Sequence, residues 1–203
     1  MTTLDEIKGL SNIHNLPKAI HVNKHIMLDP YLDINLSDSP KTITYDFDVF
    51  LKDYGVNLQR PYVWNPIQQQ EFILSILLEK PIPPVVLVEI DTDESISGKA
   101  PRKMLVIDGK QRLLTIKRFI NNEFPITIKS NPVYFKDFDK ELHIFFIRRI
   151  TDLVATVYYA SDNPEDEWYI SDDMKITLFN FYNFAGTPQE ASHKDMLEGM
   201  LHG

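Results

Sequence analysis

Asp108, Gly109, Lys110, Gln111 and Arg112 stand in one run between the strand-like Val106-Ile107 and the helix-like Leu113-Leu114-Thr115-Ile116. A turn has use for the glycine and the aspartate; it has no need of Lys-Gln-Arg directly after them. A strand that ends in a glycine turn and opens a helix leaves backbone N–H groups unpaired and directed outward. Those groups and the helix dipole favour an anion. Gly109 lets a ligand approach the backbone closely. Arg112 adds a planar fork that fits phosphate or carboxylate in two contacts. Asp108 has three readings: a cap for the helix, a partner for Arg112, or a metal ligand. A plain capped helix with a solvated basic first turn accounts for Asp108 and Gly109. It leaves Arg112 unexplained, because basic residues there oppose the dipole.

Two further stretches carry functional side chains. Residues 57–64 repeat the Gln-Arg pair as Gln59-Arg60, beside Tyr62 and Trp64. An aromatic face next to an arginine can sandwich a flat base or a second guanidinium. The plainer reading, an aromatic loop over the core with Arg60 in an ion pair, is preferred for that stretch alone. Residues 179–189 contain Asn183, Gly186, Thr187 and Gln189. They read first as a helix end followed by an N-cap, and only second as polar groups reaching a pocket. The six histidines show no zincin spacing, and Walker A and GxGxxG loops are absent. With no cysteine, disulfides, thiolate catalysis and Cys-based zinc sites are excluded.

The formal net charge of -8 argues against a basic nucleic-acid binder. The charge is uneven, however. Residues 102–118 hold Arg102, Lys103, Lys110, Arg112, Lys117 and Arg118 against Asp108 alone, whereas residues 161–173 hold only acids. A local anion site inside an acidic protein describes this better than a basic protein does. No apolar run approaches the ~20 residues of a membrane span, and no signal-peptide core is visible. The expectation is an intracellular, cytoplasmic protein.

The elements that must position these residues follow from pattern and punctuation. Residues 1–41 read as an N-terminal extension that packs on the body, and 42–203 as one domain. Residues 42–45 alternate like a short strand, and 46–55 read as a short helix from an Asp cap to Gly55. An extended, proline-broken segment leads to a buried helix over 67–80. A proline turn, a strand, a polar hairpin loop and the returning strand 103–107 come next. The Asp108–Arg112 knot then opens a helix capped by Asp108. Strands are expected over 126–128 and 142–147 with a helical turn between them, and closing helices over 175–184 and 190–201.

Together, "NLQRPYVWNPIQQQEFILSILLEKPIPPVVL", "VIDGKQRLLTIKRF" and "LFNFYNFAGTPQ" resemble the N-terminal domain family of GmrSD-type modification-dependent restriction systems. The likeness covers roughly residues 42–201. It implies an α+β fold with a ParB/sulfiredoxin-like core, a small mixed sheet flanked by helices. It also implies a nucleotide-phosphate pocket formed by Asp108, Gly109, Lys110, Gln111 and Arg112, faced by Gln59 and Arg60, with Asn183 as a further member. Lys110 stands where the family usually has Gln. The catalytic roles implied fall to Asp108 and Arg112, with Asp108 also the magnesium ligand. A stand-alone form without the family's His-Asn-His nuclease domain is expected.

Three functions follow as expectations. The first is a nucleoside triphosphate-binding, Mg2+-assisted phosphohydrolase linked to DNA processing or phage defence, in which Arg112→Ala removes activity and spares the fold. The second is a non-catalytic regulator that binds DNA or a nuclease partner. The third is a DNA nickase.

Overall fold

In the computed structural model the described residues are 22–25, 43–91, 102–184 and the single positions 196, 199 and 200. The chain supplies β1 (Val22–His25) and β2 (Ile43–Asp46), a small hairpin of β3 (Phe50–Leu51) and β4 (Val56–Asn57), and then α1 (Pro66–Leu77). β5 (Val85–Asp91), β6 (Arg102–Asp108) and α2 (Lys110–Ile120) follow. A second hairpin, β7 (Ile126–Ile128) and β8 (Asn131–Val133), precedes a 3-10 turn at Phe135–Asp137. α3 (Lys140–Thr151), β9 (Val154–Ser161) and α4 (Asp172–Phe184) complete the described fold.

The main sheet has the order β1-β9-β5-β6-β2. β1–β9 and β5–β6 pair antiparallel, while β9–β5 and β6–β2 pair parallel, so the sheet is mixed. The architecture is α+β. β5 and β6 lie inside the sheet and bury both faces, which is why their sequences run apolar without polar alternation. Val85, Leu87, Met104 and Val106 face the layer made by α1, α2 and α3. Val86, Val88, Ile90, Leu105 and Ile107 face the β3–β4 hairpin and α4. The first layer is knit by Phe119, whose ring centroid lies 5.5–5.9 Å from those of Phe124, Phe135, Phe138 and Phe146. Edge-to-face and tilted pairs at that spacing add to the burial of each ring.

Three local readings are corrected. Residues 46–55 form a hairpin, not a helix. The Asp46 carboxylate accepts from the N–H groups of Asp48 and Val49, and Val49 then turns with φ 52°. This side-chain hydrogen bonding competes with the helical alternative. Burial pushes the Asp46 carboxyl upward, but the Val49 N–H, Lys103 and the Asp48 N–H outweigh it and hold the pKa below its ordinary value. Residues 142–147 belong to α3, not to a strand: Asp139 caps the helix by accepting from the Leu142 N–H, and Phe146 and Ile150 share its buried face. β9 lies where the sequence reading leaves 154–161 unassigned.

Val22–His25, within the stretch read as an extension, forms the edge strand beside β9. The remainder of that stretch, the loop between β5 and β6 and most of the helix expected over 190–201 lie outside the described residues. Among the described residues no helix is long and apolar enough to cross a membrane.

Candidate functional site

β6 ends at Asp108, Gly109 turns the chain, and α2 begins at Lys110. Gly109 has φ 104°, a conformation that side chains rarely adopt. A Cβ there would sit 2.5 Å from Val85 Cγ1 and 2.9 Å from Val85 Cβ. The glycine is therefore required twice, by its dihedral and by the close passage of β5. Gly109 is also the N-cap of α2, so no side chain caps this helix, and its first turn contains no acid. The expected Asp108 cap is corrected on this point.

Asp108 instead takes the second of its three readings. Its Oδ2 lies 2.5 Å from Arg112 Nη2. Arg112 also donates to the carbonyls of Pro83 and Pro84. Its side chain is 13 % exposed. Burial pushes the guanidinium pKa downward, and Asp108 offsets part of that. Arg112 is thus a clasp that ties the proline turn before β5 to the start of α2.

Gln59 is buried, and its Nε2 donates to the carbonyls of Val106 and Ile107, both at 2.7 Å. It fastens the segment after β4, in which Arg60 is the next residue, to the end of β6. Arg60 is half-buried and has no hydrogen-bonded or ionic partner among the described residues. Gln111 accepts from the Val63 N–H at 3.0 Å and donates to the Pro61 carbonyl at 3.1 Å. Lys110 is buried and pairs with Asp48, Nζ to Oδ1 2.7 Å.

The aromatics of the same stretch pack against α1 and α2, but the ion pair that the plainer reading gives Arg60 is not found among the described residues. The Tyr62 hydroxyl pairs with Thr115 Oγ1 at 2.7 Å, and Arg118 lies over the Tyr62 ring with Cζ 4.7 Å from its centroid. Trp64 packs edge-on against Phe72 of α1, centroids 5.3 Å apart. Asn183 lies in the last turns of α4, across the sheet from α2, and donates to the Phe179 carbonyl at 2.9 Å. Gly186, Thr187 and Gln189 lie outside the described residues.

The structure therefore brings Gln59, Gly109, Lys110, Gln111 and Arg112 together around one strand-to-helix turn. Sequence reasoning missed Asp48, which meets Lys110 from 62 residues away. A hairpin in place of the expected helix is what brings it there. No group of three or more His, Asp or Glu side chains is arranged for a metal ion among the described residues. Asp108 places its Oδ2 on Arg112.

An α+β domain with an uncapped, glycine-turned helix start is the class that the fold and the site define. The model of the GmrSD restriction endonuclease N-terminal domain family matches residues 56–197, from β4 through the turn and beyond α4, and the chain belongs to that family. No curated protein and no solved structure matches it.

Proposed function

We infer that this chain is a nucleotide-binding domain of a restriction or phage-defence system and takes the phosphates of a nucleoside triphosphate at the start of α2. One observation carries the reading: α2 alone among the first three helices opens without a side-chain cap, and its first turn holds Lys110 and Arg112. Free N–H groups at a helix start bind oxyanions through hydrogen bonds and the dipole together. Membership of a restriction endonuclease family supports a role beside DNA processing.

Within this reading the side chains divide the work. The backbone N–H groups of the first turn of α2 hold phosphate oxygens. Arg60, free of described partners, supplies a bidentate cation. Gln59, Gln111 and Arg112 are positioning residues that fix the turn from below and from both sides. Hydrolysis would draw on the same groups: preorganised donors and Arg60 would stabilise the charge that develops on the transferred phosphoryl group.

The test is a thermal-shift and phosphate-release panel with ATP, GTP, CTP and UTP, with and without magnesium, on the wild type and Arg60→Ala. The expected result is stabilisation by at least one triphosphate, lost in Arg60→Ala although that variant melts like the wild type without ligand. No shift with any nucleotide would overturn the reading in favour of a non-catalytic module that binds DNA or a nuclease partner. Nuclease activity that needs neither nucleotide nor partner would favour the nickase.

A further inference from the structure

On the face of the sheet that carries the β3–β4 hairpin and α4, residues of the hairpin, β5, β6 and the segment after β9 line a cleft of about 130 Å³. That is room for one short-chain or ring-sized ligand. Its floor is aliphatic, made by the buried Val49, Ile90, Leu105 and Ile170. Val49 joins that floor with φ 52°, which a β-branched residue rarely adopts. Strain of this kind gathers at ligand-binding sites. Two ion pairs line the walls: Lys103 meets Asp46 at 3.0 Å, and Lys175 meets Asp172 at 2.7 Å. Asp172 is 4 % exposed and also accepts from the Asp53 N–H at 2.9 Å. Both wall ammonium groups are thus neutralised in place. Lys52, Asp53 and Asp162 line the cleft too, and none of their side chains has a hydrogen-bonded or ionic partner among the described residues. Two carboxylates against one ammonium leave a negative surplus. Two aromatic rings complete the lining: Tyr169, and Phe50, which is 53 % exposed and belongs to neither apolar layer.

We propose that this cleft binds a small organic cation, an alkylammonium or guanidinium group on a short apolar stem. The stem displaces water from the aliphatic floor, which the hydrophobic effect favours. The charged head answers the unpaired carboxylates of Asp53 and Asp162, and the faces of Phe50 and Tyr169 attract it through their ring quadrupoles. A neutral ligand of the same shape gains the floor alone. An anion of the same shape meets a surplus of its own sign. Asp172 ties the Lys175 ammonium and the hairpin backbone together, so the cleft is formed before the ligand arrives and little ordering is left to offset binding. The binding uses no side chain of the Asp108–Arg112 turn.

The experiment is an NMR titration of the full, nitrogen-15-labelled chain with n-butylammonium, n-butanol and butyrate, three ligands of one shape and different charge. The expected result is saturable binding of n-butylammonium, with shifts at the Phe50, Asp53 and Tyr169 amides, and weaker binding of the other two. Asp53→Asn together with Asp162→Asn is expected to weaken n-butylammonium about tenfold, and Phe50→Ala about threefold. These side chains are exposed or make no described contact, so the variants should melt like the wild type; either single Asn variant serves if the double one does not. Glu141→Gln, on α3, removes a carboxylate far from the cleft in the fold and should leave the affinity unchanged. A fourth ligand, N-acetyl-lysine N-methylamide, carries the same butylammonium group on a peptide backbone. Its binding would give the cation's source as a lysine side chain of a partner, and its exclusion would give a free amine. No binding of n-butylammonium, an equal or higher affinity for n-butanol or butyrate, or equal weakening by Glu141→Gln would overturn the proposal.

Discussion

α3 and α2 start in opposite ways. α3 opens on Asp139, whose carboxylate takes the Leu142 N–H, and Glu141 follows in the first turn. It satisfies its own donors and complements its own dipole. α2 opens on a left-handed glycine with no side-chain cap, then places Lys110 where an acid would be favourable. α1 sides with α3: Asn65 and Gln68 form a reciprocal capping box, with Pro66 at the first position. The difference teaches that the open end of α2 is not a general habit of this chain. α1 and α3 are sealed; the helix at the Asp-Gly-Lys-Gln-Arg turn is left without a side-chain cap, and its first-turn Lys110 pairs with Asp48 from a distant loop.

The sharpest way to break this comparison is Gly109→Ala. A β-carbon at φ 104° would run into Val85, so the turn must rearrange. The expected loss is about 3 kcal/mol or more, from left-handed strain plus overpacking, measured by urea unfolding. A loss below about 1 kcal/mol would mean that the turn tolerates a side chain and is not specified by the glycine.

Arg112→Ala comes next. It removes the contacts to Asp108, Pro83 and Pro84 and leaves a carboxylate and two carbonyls without their donor. A stability loss of about 2–3 kcal/mol is expected, typical of charge-assisted bonds in a part-buried site. Unchanged unfolding with abolished nucleotide response would return Arg112 to the ligand-binding role that sequence reasoning gave it. The smallest effect belongs to the sealed helix. Asp139→Ala should cost about 1 kcal/mol, the ordinary worth of an N-cap, and leave any nucleotide-induced shift in melting temperature unaltered. An altered shift would show that α3, too, reports on the site.

Much of the frame was legible because its signals are local. The buried runs of β5 and β6, the amphipathic α2 and the proline-opened α1 each declare themselves within a dozen residues. The turn was legible for the same reason, since Asp108 to Arg112 are contiguous. What the side chains do there was less so. Arg112 reads as a phosphate fork, but the carbonyls of Pro83 and Pro84 approach it only after β5 and β6 have paired. Asp48 and Gln59 act at the turn across long loops, and no spacing rule links them to it. Residues 142–147 failed differently: Leu-His-Ile-Phe-Phe-Ile is apolar enough for a strand, and only the Asp139 cap and the Phe146–Ile150 spacing decide for a helix. Asp46, offered as a helix cap, does accept backbone N–H groups, but for a turn.

β1 and β9 bear on how the chain comes to be folded. Val22–His25 pairs with Val154–Val157, so this edge strand joins the first described segment to one that follows α3. Closing so long a loop is entropically expensive and comes late in folding. Until β1 arrives, β9 presents one bare backbone edge, a template for another chain. During synthesis the N-terminal strand emerges first and finds its place last. The interval between the two is when this protein is most open to pairing with a copy of itself.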